Sequence, residues 1–359
     1  MADIFEYFRW RGDLTLGNAP FNEVDAVILA RFSYLPFGLV APGNIGEVCD
    51  GLLACPDIGE KVLMEDDLRL VQALSESQRY RDMEIFGFVE RLDEQAQTQF
   101  AAVTVKLKKG LSYVAFRGTD NTLVGWKEDF NMCFGPVHSQ TLAVEYLDEI
   151  GKALSGQIIV GGHSKGGNLA VYAASFCHGK IQKRIPLVYN FDGPGFHDEI
   201  LQTEGYRQIC SRVKTFVPQS SVVGMMLFHE EAYVIVHSGQ TGLLQHDVYS
   251  WEMKRDCFSY VQAVTNSSRF VDSTLKRWLA EVDPQQRERF VDAVYTALLE
   301  TNAKTVKEMT ENKLGNGKVI LRALRKLEEE DRKAVLQALR ALARCAKMSM
   351  NVISKPGRK

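Results

Sequence analysis

Gly162-His163-Ser164-Lys165-Gly166 sets a serine between two glycines in the spacing G-x-S-x-G. A serine so placed is a nucleophile for acyl transfer when the chain around it runs strand, tight turn, helix. The flanks supply that context. Gln157-Ile158-Ile159-Val160 is short, apolar and β-branched, as a buried strand requires, and Leu169-Ala170-Val171-Tyr172-Ala173-Ala174 opens as an Ala-rich helix. The turn forces Ser164 into a strained conformation, and Gly162 and Gly166 lack the side chains that would keep strand and helix apart. The competing reading is a Gly-rich turn that holds phosphate at a helix N-terminus.

A serine that attacks a carbonyl needs a base for its proton, an acid to orient the base and donors for the oxyanion. His246 follows the last predicted strand, 82 residues after Ser164, in the Ser-then-His order this arrangement requires. His237 falls within that strand, His138, His178 and His197 lie off the expected positions, and His163 is the variable position of the turn. His229 is the rival base. The acid is less evident, because no carboxylate lies between Pro218 and Phe228. Asp192, at the tip of the preceding strand, is the best candidate; its competing role is an Asx-type turn before Gly193-Pro194. Asp247 adjoins His246 and is badly placed to orient its ring. Glu230, or a Ser-His dyad braced by Ser220 or Ser221, stays open. The oxyanion donors are the backbone N–H of Lys165 and that of Thr119, with Gly118 letting the second backbone come close. The alternative for Phe116-Arg117-Gly118-Thr119 is an ordinary strand exit with Arg117 in a structural ion pair.

These residues need a sheet to carry them. Ile85–Arg91 and Phe100–Leu107 flank a polar turn as an antiparallel pair, and Ser112–Phe116 follows as a third strand. Strands at 187–191, 213–217 and 232–237 then alternate with helices, which indicates a mostly parallel sheet covered by helices. Before the sheet, Ile4 to Trp10 is an aromatic segment that packs on the core. Residues 21–34 and 65–77 have helical periodicity, and 36–56 reads as loop. From about Trp251 onward the pattern is helical. Pro284 starts one helix, and Gly315-Asn316-Gly317 separates it from basic amphipathic helices, the last with Val335, Leu339, Leu342 and Ala346 on one face. The expected divisions are 1–80, an N-terminal helical and aromatic segment; 81–280, the α/β core; and 281–359, a basic helical extension.

Composition excludes several classes. Hydrophobic residues make up 45% of the chain and charged residues 25%, as in ordinary globular proteins, and the net charge of −2 gives no reason to expect nucleic acid. Seven cysteines without C-x-x-C spacing suggest neither zinc nor a disulfide framework. No leader pattern or apolar run of spanning length is visible, so a cytoplasmic address is expected. From Asn302 to Lys359 there are 15 Lys/Arg against 6 Asp/Glu, a local +9. Such charge commonly marks the solvated side of a packed helix; its sharper reading is contact with an anionic membrane.

Ala115-Phe116-Arg117-Gly118-Thr119, then Trp126 with Asp129, then Gly162-His163-Ser164-Lys165-Gly166-Gly167 resemble, in order and spacing, the core motifs of class 3 lipases. The resemblance covers about residues 112–246. It implies an α/β-hydrolase fold acting on acylglycerols and related esters, with Ser164 as nucleophile and Thr119 as oxyanion residue; His246 is a looser match. Two departures stand out: Lys165 replaces the usual apolar residue, and Ser220-Ser221 occupy the usual acid position. Through Trp10-Arg11-Gly12-Asp13, Val217-Pro218-Gln219-Ser220-Ser221 and Gln245-His246-Asp247 the whole chain is similar to a lipase-like family of Gram-positive gut bacteria. The expectation is a serine hydrolase that cleaves acyl or lipid-like esters without metal or cofactor. The alternative is a catalytically degenerate hydrolase fold that binds acyl ligands or membrane.

Overall fold

The computed structural model describes residues 2–120, 122–301 and 313–353. Ten strands are described: β1 (Glu84–Asp93), β2 (Thr98–Lys108), β3 (Leu111–Phe116), β4 (Gln157–His163), β5 (Val188–Phe191), β6 (Val213–Pro218), β7 (Tyr233–Val236), β8 (Met253–Lys254), β9 (Cys257–Phe258) and β10 (Tyr260–Val261). Eight of them form one sheet in the order β1-β2-β3-β4-β5-β6-β7-β10, and β8 and β9 form a small antiparallel hairpin. Strands β3 to β7 are parallel neighbours, while β2 and β10 add to them antiparallel. Parallel neighbours require crossovers, which helices supply. His138–Ala153 precedes β4, Lys165–Phe176 follows it, and Glu204–Cys210 precedes β6.

Register fixes what meets at the carboxyl edge of the sheet. Phe116 pairs with Gly162, His163 with Phe191, and Phe191 with Phe216. The residues just beyond these strands therefore emerge side by side, on the edge where open α/β sheets bind ligands.

Two compact units interleave along the chain. The first comprises Met1–Arg91, Phe100–Gly118 and His138–Val264. Its core joins Ile4, Tyr7 and Phe8 with Tyr113, Tyr189, Phe216, Trp251 and Phe258. Helix Glu23–Phe32 is buried from Val24 to Phe32, so its two inward charges need partners. Arg31 meets Asp67 through two 2.6 Å hydrogen bonds, and Asp25 meets Arg79. The second unit comprises Leu92–Gln99, Thr119–Val137 and Thr265–Lys359. Its helices are Leu123–Met132, Asn266–Glu281, Pro284–Leu299, Lys313–Lys326 and Glu329–Ile353. Trp278 lies at its centre, among Val282, Ala338, Ala341 and Cys345, and its indole N–H donates to the Ala338 carbonyl at 2.9 Å.

Four expectations are corrected. Residues 36–56 hold a helix, Ile45–Leu53, started by a reciprocal Asn44–Glu47 capping box that the Asn-x-x-Glu spacing could have disclosed. The stretch after Trp251 contains β8, β9 and β10, whose two-residue lengths are too short to leave a periodicity. Gly315-Asn316-Gly317 does not interrupt a helix: the backbone stays helical over Lys313–Lys326, packed against Pro284–Leu299. Tertiary contact outweighs the ~1 kcal/mol that each helical glycine costs. In Glu329–Ile353 the buried face is Ala334, Ala338, Ala341, Cys345 and Ser349, with the expected Val335 and Leu342 packed beside it; Leu339 is half exposed. Small residues let this helix approach Trp278 closely, with Val335 and Leu342 filling the flanks.

Among the described residues no helix is long and apolar enough to cross a membrane. Among them, too, no group of three or more His, Cys, Asp or Glu side chains is arranged to hold a metal ion.

Candidate active site

Ser164 follows β4 and precedes helix Lys165–Phe176, with φ 59° and ψ −134°. That conformation is strained for a residue with a Cβ. Its N–H donates to the Phe191 carbonyl at 2.9 Å, and its carbonyl accepts the Gly167 N–H at 2.8 Å. A Cβ on Gly162 would stand 2.3 Å from the Gly166 carbonyl carbon, and one on Gly166 would stand 2.1 Å from the Phe116 carbonyl oxygen. Both glycines are therefore required by backbone packing.

Asp192 follows β5 and also has positive φ, 50°. Its carboxylate is wholly buried and fully engaged. Oδ2 lies 2.6 Å from His246 Nδ1, while Oδ1 accepts the Ser221 hydroxyl at 2.5 Å and the Gly224 N–H at 3.1 Å. The loop after β6 lacks a carboxylate of its own; it supplies donors that hold the carboxylate of β5. With Nδ1–H directed at Asp192, the basic nitrogen of His246 is Nε2.

The rival residues have other partners. His229 Nδ1 lies 2.9 Å from Glu231 and its Nε2 lies 2.8 Å from the Gly224 carbonyl, so both ring nitrogens are engaged. Burial opposes the charge of Glu231, but hydrogen bonds from His229, Thr215 and Tyr206 hold it down at about 2. Asp247 caps the turn at Tyr249. Glu230 is exposed.

His163 is the residue that sequence reasoning passed over. Its Nε2–H donates to the His246 carbonyl at 2.8 Å, and its ring lies against the His246 ring, 4.6 Å between centroids and tilted by 34°. Its Nδ1 lies 3.2 Å from the Tyr34 hydroxyl, which accepts the Gly118 N–H at 3.0 Å. Burial first, then the neighbouring His246 and Arg31, push its pKa well below the ordinary histidine value. The ring is neutral in the folded state. Below pH about 6.5 the unfolded chain therefore takes up a proton that the folded chain refuses. This contribution to stability is complete above that pH and declines by up to about 1.4 kcal/mol per pH unit as pH falls. Urea midpoints measured from pH 7.5 to 5.5 should fall less steeply in His163→Gln than in the wild type; equal slopes would contradict a neutral His163.

The β3 exit runs against Ser164, since a Cβ on Gly118 would stand 2.9 Å from the Ser164 Cβ. Arg117 makes the structural ion pair with Glu90, at 2.6 Å. Thr119, next in the chain, belongs to the second unit, where its hydroxyl lies 2.6 Å from each carboxylate oxygen of Asp129. Lys165 is buried in the first turn of its helix. An open cavity of about 680 Å³ lies beside Gly110, Ser112 and Lys108, at the amino end of β3. It holds none of the residues just described.

A strained serine turn between β4 and its helix, on a mostly parallel sheet covered by helices, defines an α/β-hydrolase fold. More particularly, the chain belongs to the Mbeg1-like family, which matches residues 74–296. No curated protein matches its sequence. Among solved structures, the M37 lipase is similar with a TM-score of 0.36 at 17% identity, over 55% of this chain and 68% of that one. A fungal lipase–inhibitor complex is similar with a TM-score of 0.38 at 15% identity, over 60% and 78%. The Rhizomucor miehei lipase–propeptide complex has a TM-score of 0.33 at 17% identity, over 44% and 57%. At these identities and scores the likeness assigns no activity.

Proposed function

We propose that this protein is a serine hydrolase that cleaves acyl or lipid-like carboxylic esters through an acyl-enzyme on Ser164. The observation that carries the reading is the 2.6 Å contact between His246 Nδ1 and the buried Asp192 carboxylate, with Asp192 and the strained Ser164 each following the His163–Phe191 pair at one sheet edge. In the proposed reaction Ser164 Oγ attacks the ester carbonyl and its proton passes to His246 Nε2. Asp192 stabilises the imidazolium, and the backbone amides of Lys165 and Thr119 receive the oxyanion. Collapse expels the alcohol, which takes the proton from His246. Water then attacks the acyl-enzyme with His246 again as base, releasing the acid and restoring Ser164. A fluorophosphonate probe should label the wild type and not Ser164→Ala, and nitrophenyl esters should be hydrolysed by the wild type alone. An unlabelled wild type, or equal labelling of the variant, would sink the reading.

The resemblance to lipase-like proteins of Gram-positive gut bacteria belongs to the same proposal. The cytoplasm is its proposed compartment.

A second reading, a binding or scaffold protein for acyl ligands, draws on the second unit. There Trp126, Phe130, Trp278, Val294, Leu298 and Leu339 line an apolar cavity of about 250 Å³. An apolar cavity of about 150 Å³ suffices for benzene. On the outer side of helix Glu329–Ile353, exposed Arg332, Lys333, Arg340 and Lys347 accompany exposed Leu336 and Met348, a pattern suited to an anionic membrane surface. Decanoate that quenches tryptophan fluorescence, or sedimentation with anionic vesicles in low salt, would favour this reading if esters, thioesters and amides all stay intact. Neither effect would remove it.

A further inference from the structure

We propose that Tyr34 and His163 act as a positioning pair that ties the base loop to the β3 exit, so that the base and the oxyanion backbone keep their places together. The inference rests on the hydrolase reading of Ser164 and His246.

His246 ends a short 3₁₀ segment, Gly242–His246. Leu243 and Leu244 in that segment are 67% and 64% exposed, so apolar burial does not anchor it. Polar ties do. The Ser220 N–H donates to the Gln245 side chain at 2.7 Å, and the Trp251 indole donates to the Gln245 carbonyl at 2.8 Å. His246 itself is gripped twice: Asp192 holds its ring nitrogen, and His163 Nε2–H holds its carbonyl. The second grip fixes the backbone from which the imidazole hangs. Without it, a ring aimed by Asp192 alone could pivot about that carboxylate.

The other end of the pair is Tyr34, just beyond the buried helix Glu23–Phe32. Its hydroxyl accepts the Gly118 N–H and faces His163 Nδ1. One oxygen thus joins the strand exit that precedes Thr119 to the ring that holds the base loop. The Arg31 guanidinium lies 4.3 Å over the Tyr34 ring and is itself bound to Asp67, which also accepts the Tyr249 hydroxyl at 2.8 Å. Tyr34 is therefore mounted on a rigid, buried base. The pair works with a neutral imidazole, because a protonated His163 would have two donor nitrogens and no ring acceptor for Tyr34, leaving only the longer 3.3 Å bond from the Tyr34 hydroxyl to the His163 carbonyl. The charged and titratable groups around it are Arg31, Asp67, Tyr34, Asp192 and His246.

The experiment compares Tyr34→Phe, His163→Leu and His163→Gln in the full chain. Steady-state hydrolysis of a short nitrophenyl ester gives kcat and KM, and NMR follows the Nδ1 proton of His246. Tyr34→Phe and His163→Leu should lower kcat about 10- to 100-fold with KM little changed, as expected when reacting groups are misplaced by less than 1 Å. Both should broaden or shift the His246 Nδ1–H resonance. His163→Gln keeps a donor near Nε2 and should recover most of the loss. Folded variants with wild-type kcat and an unaltered resonance would overturn the proposal, as would His163→Gln behaving like His163→Leu. If the wild type neither hydrolyses esters nor reacts with fluorophosphonate, the hydrolase reading fails and the resonance decides the positioning role by itself. If Tyr34→Phe does not fold, the two His163 variants decide it.

Discussion

Asp192→Asn should lower kcat for nitrophenyl ester hydrolysis by about 10⁴-fold while the protein stays folded. The asparagine keeps Oδ1, which accepts from Ser221 and Gly224, so the loop after β6 retains its anchor. The change falls on the other oxygen. An amide N–H facing His246 Nδ1 would turn that nitrogen into an acceptor and leave the proton on Nε2, where it cannot receive the Ser164 proton. Loss of the carboxylate also removes the charge that stabilises the imidazolium. Pre-steady-state kinetics on Asp192→Asn and Asp192→Ala, with circular dichroism to verify folding, would check this. A kcat within tenfold of the wild type would move the acid elsewhere, to Glu230 or to a Ser-His dyad without a carboxylate.

Asp25→Ala should cost about 3–5 kcal/mol of stability, the usual result of breaking one side of a buried ion pair. Asp25 and Arg79 both have fully buried side chains. The carboxylate accepts Arg79 Nε–H at 2.6 Å, the Tyr80 hydroxyl at 2.5 Å and the Tyr7 hydroxyl at 3.0 Å. Its removal would leave the Arg79 guanidinium with only the carbonyls of Leu14, Ala19 and Pro20. By contrast, Lys333→Ala breaks a pair with Glu329 in which both side chains are mostly exposed, and should cost no more than about 1 kcal/mol. Urea unfolding of the two variants in one buffer would separate the cases. An Asp25→Ala loss as small as that of Lys333→Ala would mean that water reaches Arg79 after the substitution.

Much of the candidate site was legible because it is local. The serine turn reads from Gly162 to Gly166 and the short runs either side, since steric exclusion by backbone selects glycine at 162 and 166 whatever lies elsewhere. His246 reads from chain order, because a loop after a late strand is where a base can reach a serine at the edge of β4. The strands of the sheet read from their β-branched and aromatic runs. Helix Ile45–Leu53 could have been read too, from Asn44 and Glu47, had the cap been weighed against the glycines and prolines around it.

What the sequence by itself determined, then, is a strained serine turn, the succession of strands that carries it and a histidine in a later loop. Tertiary structure decided the partners. Asp192 lies 54 residues before His246; its place at a strand tip made it the best candidate, but the sequence left Glu230 and a Ser-His dyad open. The pairing of His163 with Phe191 across β4 and β5 singles out Asp192, because it sends Ser164 and Asp192 out of the sheet at the same level. Ser221, read as a brace for the histidine, turns out to brace the carboxylate. His163, read as a variable position, proves to be a buried link between Tyr34 and the carbonyl of His246. These roles depend on side chains converging from separate elements, and a linear pattern records neighbours along the chain while hydrogen bonds select neighbours in space.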